Sequence, residues 1–287
     1  DTSVIKARLH GKKETGAKVE ILIERIIDEE KALVQTKSNA PLRKGDKILI
    51  YKGEEFLSLL KKVDDLWTVF FSKPPRQIIN EFGSVPLPPY IKRKANPLDS
   101  ERYQTVYADS SKDFSVAAPT AGLHFENELL DSITNKGINI AKITLHIGMG
   151  TFKPIKDMSI TGHKMHKESI EVGQKAVDLI TQSKNAGGRV ICVGTTALRC
   201  LEAISKANGG VLKPFTGETD IFIYPGFKFT VADALITNFH LPRSTLLLLV
   251  SAFGGYEKIQ KAYEYAIRKK YRFYSYGDSM FISPNFK

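Results

Sequence analysis

Cysteine, long apolar runs and acidic residues are all scarce in this chain, and each scarcity excludes something. Cys192 and Cys200 are the two cysteines among 287 residues. They flank an expected strand-to-helix turn, a placement that supports neither a disulfide framework nor a four-cysteine metal site. The longest apolar stretch, Thr245 to Phe253 (TLLLLVSAF), is about half of what a membrane-spanning helix needs, so it reads as a buried strand or helix. A cytoplasmic protein with no membrane partner is the expectation. Asp and Glu number 31 against 42 Lys and Arg, a net charge of +11 with a pI near 9.4, which suits a polyanionic partner. The G-x-S-x-G elbow, the Walker loop and G-x-G-x-x-G are all missing, so the common hydrolase, nucleoside-triphosphatase and dehydrogenase readings lack their signatures. At 42% apolar and 25% charged, the composition is that of a globular protein of one large or two ordinary domains.

What the chain does have is concentrated between Ser115 and Phe152. Two small-residue loops, Pro119 to Phe125 (PTAGLHF) and Leu145 to Phe152 (LHIGMGTF), each set a histidine beside glycines. The first carries Thr120, Gly122 and His124; the second carries His146, Gly148, Gly150 and Thr151. Between them Glu126 to Asn135 has the apolar spacing of a short helix, and Ile138 to Leu145 reads as a strand. Polar groups at the loop tips of such a unit are where α/β proteins place their sites. Glycines that merely turn the chain, with satisfied core histidines, are the bland alternative for either loop alone.

From Lys18 to Phe82 the texture changes to short strand-like runs (KVEILIERI, KALVQTK, DKILIY, LWTVFF) separated by turn residues, which predicts a small antiparallel barrel or sandwich. The proline-rich stretch Pro86 to Ile91 and the cations Lys92, Arg93 and Lys94 follow it. We read residues 18–86 as a domain inserted into a larger α/β domain made of residues 1–17 and 87–287, a mixed α+β chain overall. Such a barrel could bind RNA or serve as a scaffold. The opening Asp1-Thr2-Ser3 has no initiator methionine and no signal peptide, so a preceding segment is expected.

Further along, Gly173 to Asn185 is helix-like, Arg189 to Val193 is a strand, and Gly194-Thr195-Thr196 turns directly into a helix over 197–206 that carries Arg199. Free backbone N–H groups and two hydroxyls at that turn suit a carboxylate or phosphate, although an ordinary capped turn uses the same residues. Asp220 to Tyr224 reads as a strand, and Asp233 to Pro242 carries another strand into a polar loop with Asn238 and His240. A final helix over 256–270 ends in Arg268, Lys269 and Lys270, with Arg272 just beyond among aromatics; these cations suit phosphate, and the aromatics suit base stacking or a core. His163 and His166 share a helix face, but no ligand set with zinc spacing accompanies them, although Glu168 is close. Acid–base work or substrate hydrogen bonding suits the imidazoles better, and no metal is expected.

Taken in order, VAAPTAGLHF, TLHIGMGTF, HKMHKE, GTTALRCLE, TDIFIYPGFKF, DALITNFHLPRSTLLLLVSAFGG and YRFYSYGDSMFI resemble the signature blocks of the S-adenosylmethionine:tRNA ribosyltransferase-isomerases of the queuosine pathway. The resemblance extends from Asp1 to Ile282. Family members carry an N-terminal segment ahead of the position matching Asp1, and this chain departs from their pattern at Ser3 and Glu218. The resemblance implies a large α/β domain with a small inserted β-barrel. It also implies an enzyme that transfers the ribosyl part of S-adenosylmethionine, as co-substrate, to 7-aminomethyl-7-deazaguanine at the tRNA wobble position and isomerises it to epoxyqueuosine, releasing adenine and methionine without a metal. On that reading His124 and His146 are candidates for proton transfer, with His163, His166 and His240 as alternatives. Thr120, Gly122, Gly148, Gly150, Thr151, Gly194, Thr195, Thr196, Arg199 and Asn238 would contact S-adenosylmethionine. Lys92, Arg93, Lys94, Arg268, Lys269, Lys270 and Arg272 would contact tRNA phosphates. A monomer is expected, and a catalytically silent RNA-binding protein is the competing reading.

Overall fold

Alternation of apolar and polar residues along six short strands closes a barrel. The computed structural model describes residues 1–50, 54–112, 115–146, 148, 165 and 167–283. It divides the chain into two compact units: Ser3–Gln104 with Asp113–Ala117, and Asp1–Thr2, Thr105–Lys112 and Ala118–Lys287. The first holds β1 (Arg8–Lys13), β2 (Lys18–Ile26), β3 (Lys31–Ser38), β4 (Lys47–Ile50), β5 (Glu55–Val63) and β6 (Leu66–Phe71), hydrogen-bonded in the order β1-β2-β3-β6-β5-β4. All pairs are antiparallel, and β1 pairs with β4 to complete the circle.

The period-2 pattern sends Leu9, Ile21, Val34, Ile48, Ile50, Leu57, Leu59, Val69 and Phe71 to the inside, each at most 1% exposed. Closure removes every free strand edge, which is how a sheet this small avoids edge-to-edge association. Bulges in β2 (between Ile23 and Arg25) and β5 (between Leu59 and Lys61) supply the curvature. The barrel takes in Arg8–Lys13, which lies outside the expected insertion at 18–86. After it come α1 (Pro75–Phe82), with Pro75 in its first turn, and α2 (Asp99–Arg102).

The second unit is mixed α/β. It holds α3 (Asn127–Asn135), β7 (Thr144–His146), β8 (Glu168–Val172), α4 (Gln174–Asn185), β9 (Ile191–Val193), α5 (Thr195–Ala207), β10 (Phe215–Thr219), β11 (Ala234–Asn238), α6 (Thr245–Gly254), α7 (Tyr256–Arg268) and β12 (Ser279–Ile282). One three-stranded sheet runs β10-β8-β7, all antiparallel; the other runs β12-β11-β9, with β11 parallel to β9 and antiparallel to β12. The core gathers Cys192, Leu198, Leu201, Leu235, Leu249, Val250, Phe253 and Ile259 from strands and helices alike.

Two expected strands come out differently. Asp220 to Tyr224 is irregular, and the strand lies just before it at Phe215–Thr219, where the register with Glu168–Val172 provides a partner; Ile223 is buried without one. Of Ile138 to Leu145, the last two residues join β7, while Ile138 and Ile140 are exposed. The Thr245 to Phe253 run is a helix, started by Ser244, whose hydroxyl accepts from the Leu247 amide at 3.1 Å.

Candidate functional site

The first histidine loop forms a short 3-10 turn, Thr120–His124, and meets the end of β11. Asn238, 2% exposed, joins them. The Thr120 hydroxyl donates to Asn238 Oδ1 at 3.0 Å, and Asn238 Nδ2 lies 3.1 Å from His124 Nε2 and 3.5 Å from the Gly277 carbonyl oxygen. The Gly277 carbonyl oxygen beside Nδ2 and the Thr120 hydroxyl beside Oδ1 orient the amide. The Asn238 amide N–H points at His124 Nε2, which accepts it in the tautomer that carries its proton on Nδ1. The imidazole itself is exposed, a histidine held by a buried amide at one nitrogen and accessible to solvent.

Gly122 has to be glycine. A Cβ there would run into the Tyr107 hydroxyl and crowd the Thr105 methyl. Tyr107 lies under the turn, and burial pushes its phenol up to about 12.

His240, two residues beyond Asn238, lies in different surroundings. Its Nε2 is 2.9 Å from the Thr237 hydroxyl, and its backbone N–H donates to the Tyr263 hydroxyl at 2.9 Å. Burial lowers its pKa from 6.5 to about 4, so the ring is neutral at pH 7 and a poor proton shuttle there. The neighbouring aromatics pack on one another, with Phe239 5.0 Å from Phe273 and 5.2 Å from Tyr263 between ring centroids. Tyr271 and Tyr276 remain exposed.

A second polar group gathers around α5. Gly194, at φ +93, makes the turn from β9 into the helix, a conformation that L side chains rarely adopt, and its N–H donates to the Ile236 carbonyl at 2.8 Å. Thr195 and Thr196 open the helix, Thr195 buried. One turn on, Arg199 is 4% exposed and its Nη1 lies 2.6 Å from Glu168 Oε2. Arg199 Nε and Nη2 are buried and have no hydrogen-bond partner among the described residues. Buried N–H groups of a guanidinium left unpaired are costly, and a planar anion would satisfy them. Glu202, fully buried on the same helix, is a structural counterpart: its carboxylate accepts from the amides of Thr230, Val231 and Ala232 and from the Thr230 hydroxyl, all within 2.8–3.0 Å.

His146 ends β7, opposite Ser169 of β8, the strand that begins at Glu168. Its position is set by Thr2, whose hydroxyl donates to the Leu145 carbonyl at 2.8 Å and accepts from the Leu145 amide at 3.0 Å, and by the Asp1 carboxylate, which accepts from the Thr144 hydroxyl at 2.8 Å. Gly148 is half-buried. Gly150, Thr151, His163 and His166 lie outside the described residues. Among the described residues no three His, Cys, Asp or Glu side chains gather as metal ligands would.

Of the expected tRNA contacts, Lys92 and Lys94 are exposed, while the Arg93 guanidinium is engaged by the buried Asp99 carboxylate at 2.6 and 2.8 Å. Arg268 and Lys269 sit over the Tyr265 ring at 5.6 and 5.9 Å. Lys270 is exposed. Arg272 is engaged by Asp278, at 2.9 Å to its Nη2, and this hydrogen-bonded guanidinium holds the Asp278 carboxyl below the usual range. Sequence reasoning missed Tyr107, Glu202 and Asp278, since none stands in a motif whose spacing carries chemistry. The departures from the family pattern have structural places: Ser3 is buried and accepts from Gln104 at 3.1 Å, and Glu218 is 3.5 Å from Lys167 at the surface.

The molecule is a closed barrel joined in sequence to a mixed α/β unit, the latter with polar groups on Thr120–His124, Asn238 and Arg199. The chain belongs to the queuosine biosynthesis protein family, whose model matches residues 1–282. Among solved structures it is similar to the S-adenosylmethionine tRNA ribosyltransferase of Thermotoga maritima, at 30% identity over 98% of this chain and 80% of that one, with a TM-score of 0.49.

Proposed function

We propose that the protein transfers and isomerises the ribosyl moiety of S-adenosylmethionine onto 7-aminomethyl-7-deazaguanine at the tRNA wobble position, giving epoxyqueuosine-tRNA, adenine and methionine. Membership of the queuosine family gives the pathway. The observation that supports the reading within this molecule is the Thr120–Asn238–His124 network, which holds an exposed imidazole at one nitrogen at the tip of an α/β loop. The polar groups on α5 fit the same substrate. The unused Nε and Nη2 of Arg199 match the carboxylate of its methionyl end, and the helix start at Thr195 and Thr196 offers backbone N–H groups to the nucleoside.

The aminomethyl nitrogen forms the new C–N bond to the ribosyl-derived carbon and gives up a proton, and three further proton movements accompany it. The sulfonium acidifies the C5′ hydrogens, and a base takes one. An acid protonates a ring nitrogen of adenine as the glycosidic bond breaks. A ribose hydroxyl loses its proton as it closes the epoxide and methionine leaves. In this proposal His124 and His146 serve these transfers. His240, neutral and hydrogen-bonded to Thr237, orients the β11 end instead. The larger domain is the catalytic part, the barrel its insertion, and the enzyme acts as a monomer in the cytoplasm.

Incubating the protein with S-adenosylmethionine and tRNA bearing the deazaguanine precursor should yield epoxyqueuosine and free adenine in equal amounts. Isothermal calorimetry with S-adenosylmethionine alone should show binding. Absence of both product and heat would leave an RNA-binding protein without this activity.

A further inference from the structure

The outer face of the barrel carries a groove of about 720 Å³ whose lining includes four lysines and one carboxylate. Strand register explains how it arises. His10 lies opposite Glu20, Lys12 opposite Lys18, and Glu20 opposite Lys37, so five side chains spaced two apart along β1, β2 and β3 stand on one outward face. Lys94, from the segment after the proline-rich stretch, completes the lining.

Three features set this face apart from ordinary solvated surface. Lys12 and Lys18 are a directly opposed cross-strand pair of like charge, an arrangement that costs stability unless an anion lies between them. The one carboxylate of the lining, Glu20, is already 3.5 Å from the Arg8 guanidinium, so it does not offset the lysines. Elsewhere in the same unit lysines have carboxylate partners, Lys13 with Asp46 at 2.8 Å and Lys73 with Glu55 at 2.5 Å. Among the described residues none of Lys12, Lys18, Lys37 and Lys94 takes part in such a pair.

The groove also lacks an aromatic platform; His10 is its one ring. Bases stack on aromatic faces, whereas phosphates need only positive charge and N–H donors, so this surface suits a sugar-phosphate backbone and not unstacked bases.

We propose that the groove formed by Lys12, Lys18, Lys37 and Lys94 binds the phosphodiester backbone of the RNA substrate, independently of base sequence. This rests on the reading that the substrate is a tRNA. The groove adds three barrel lysines that no sequence motif singled out to the one that the resemblance had suggested.

The test is the triple variant Lys12→Gln, Lys18→Gln, Lys37→Gln, compared with wild type and with Lys175→Gln, Lys258→Gln, Lys261→Gln, which removes the same charge from the α/β unit. Affinity for tRNA is measured by filter binding from 50 to 300 mM NaCl, alongside steady-state kinetics. The slope of log K against log salt should become shallower by roughly 2 to 3, about 0.7 to 0.9 per lost contact, and the KM for tRNA should rise about tenfold or more. The kcat and the KM for S-adenosylmethionine should hold, and Tm should not fall, since a like-charge pair is relieved. The inference is overturned if the groove variant keeps the wild-type slope, or if the control variant loses as much. Wild type that binds tRNA but makes no product refutes the reaction while the groove slopes still decide the inference; wild type that binds no tRNA refutes both.

Discussion

At the scale of single residues, Asn238 organises the site by being buried where its amide can have one orientation. His124→Ala should lower kcat by roughly 10²-fold or more, the usual contribution of a positioned acid or base, with the melting temperature little changed because the ring is exposed. Asn238→Ala should lower kcat as well, and in addition destabilise the fold, since the Thr120 hydroxyl loses its acceptor. Stopped-time adenine release and thermal melts separate the two. Arg199→Lys retains the charge but not the planar fork, so the KM for S-adenosylmethionine should rise well before kcat falls. His240 makes a different kind of prediction. Its native pKa of about 4 is below the unfolded 6.5, so the unfolded state takes up the proton first as pH falls. The stability it contributes is complete above about pH 6.5 and is lost between there and about pH 4, at most on the order of 3 kcal/mol. Melting temperature against pH should slope less steeply over that window in His240→Gln, which keeps a partner for Thr237.

At the scale of elements, helix α5 is held by Glu202 as much as by its apolar face. The single carboxylate, itself fully buried, collects four donors from the 230–232 segment, where Val231 is buried, Ala232 half-buried and Thr230 exposed. Glu202→Ala should cost roughly 3 kcal/mol or more, read as a Tm fall of about 6–12 °C, and Glu202→Gln about half as much because one carbonyl oxygen remains. This helix also carries Thr195, Thr196 and Arg199, so loosening it should lower activity at temperatures below the melt. Helix α3 shows the opposite balance. Its residues have helical apolar spacing, yet none is buried, and Leu129 is 44% exposed. Its 3.6-residue period determined the element and left its packing open.

At the scale of the whole molecule, the excess of 11 positive charges predicts tRNA binding that weakens steeply with salt, while under the proposed function S-adenosylmethionine held at Arg199 should barely respond. If six to ten phosphates are contacted, tRNA affinity should drop on the order of 10³- to 10⁵-fold between 50 and 200 mM salt. The amino-acid sequence by itself determined the elements with strong local periodicity: β2, β6, α4, α5 and α7 stand where alternation or helical spacing placed them. It also determined the family, through long blocks of consecutive residues. Tertiary structure decided whatever depended on a partner distant in the chain. The strand at 215–219 formed instead of 220–224 because β8 offered its edge there, and β1 joined the barrel because β4 was present to close it. The buried amide of Asn238 meets His124 across 114 positions of sequence, and Lys12, Lys18 and Lys37 became one surface through pairing register alone. Local propensity acts over a few residues, whereas hydrogen-bond satisfaction and charge clustering are properties of groups brought together by folding.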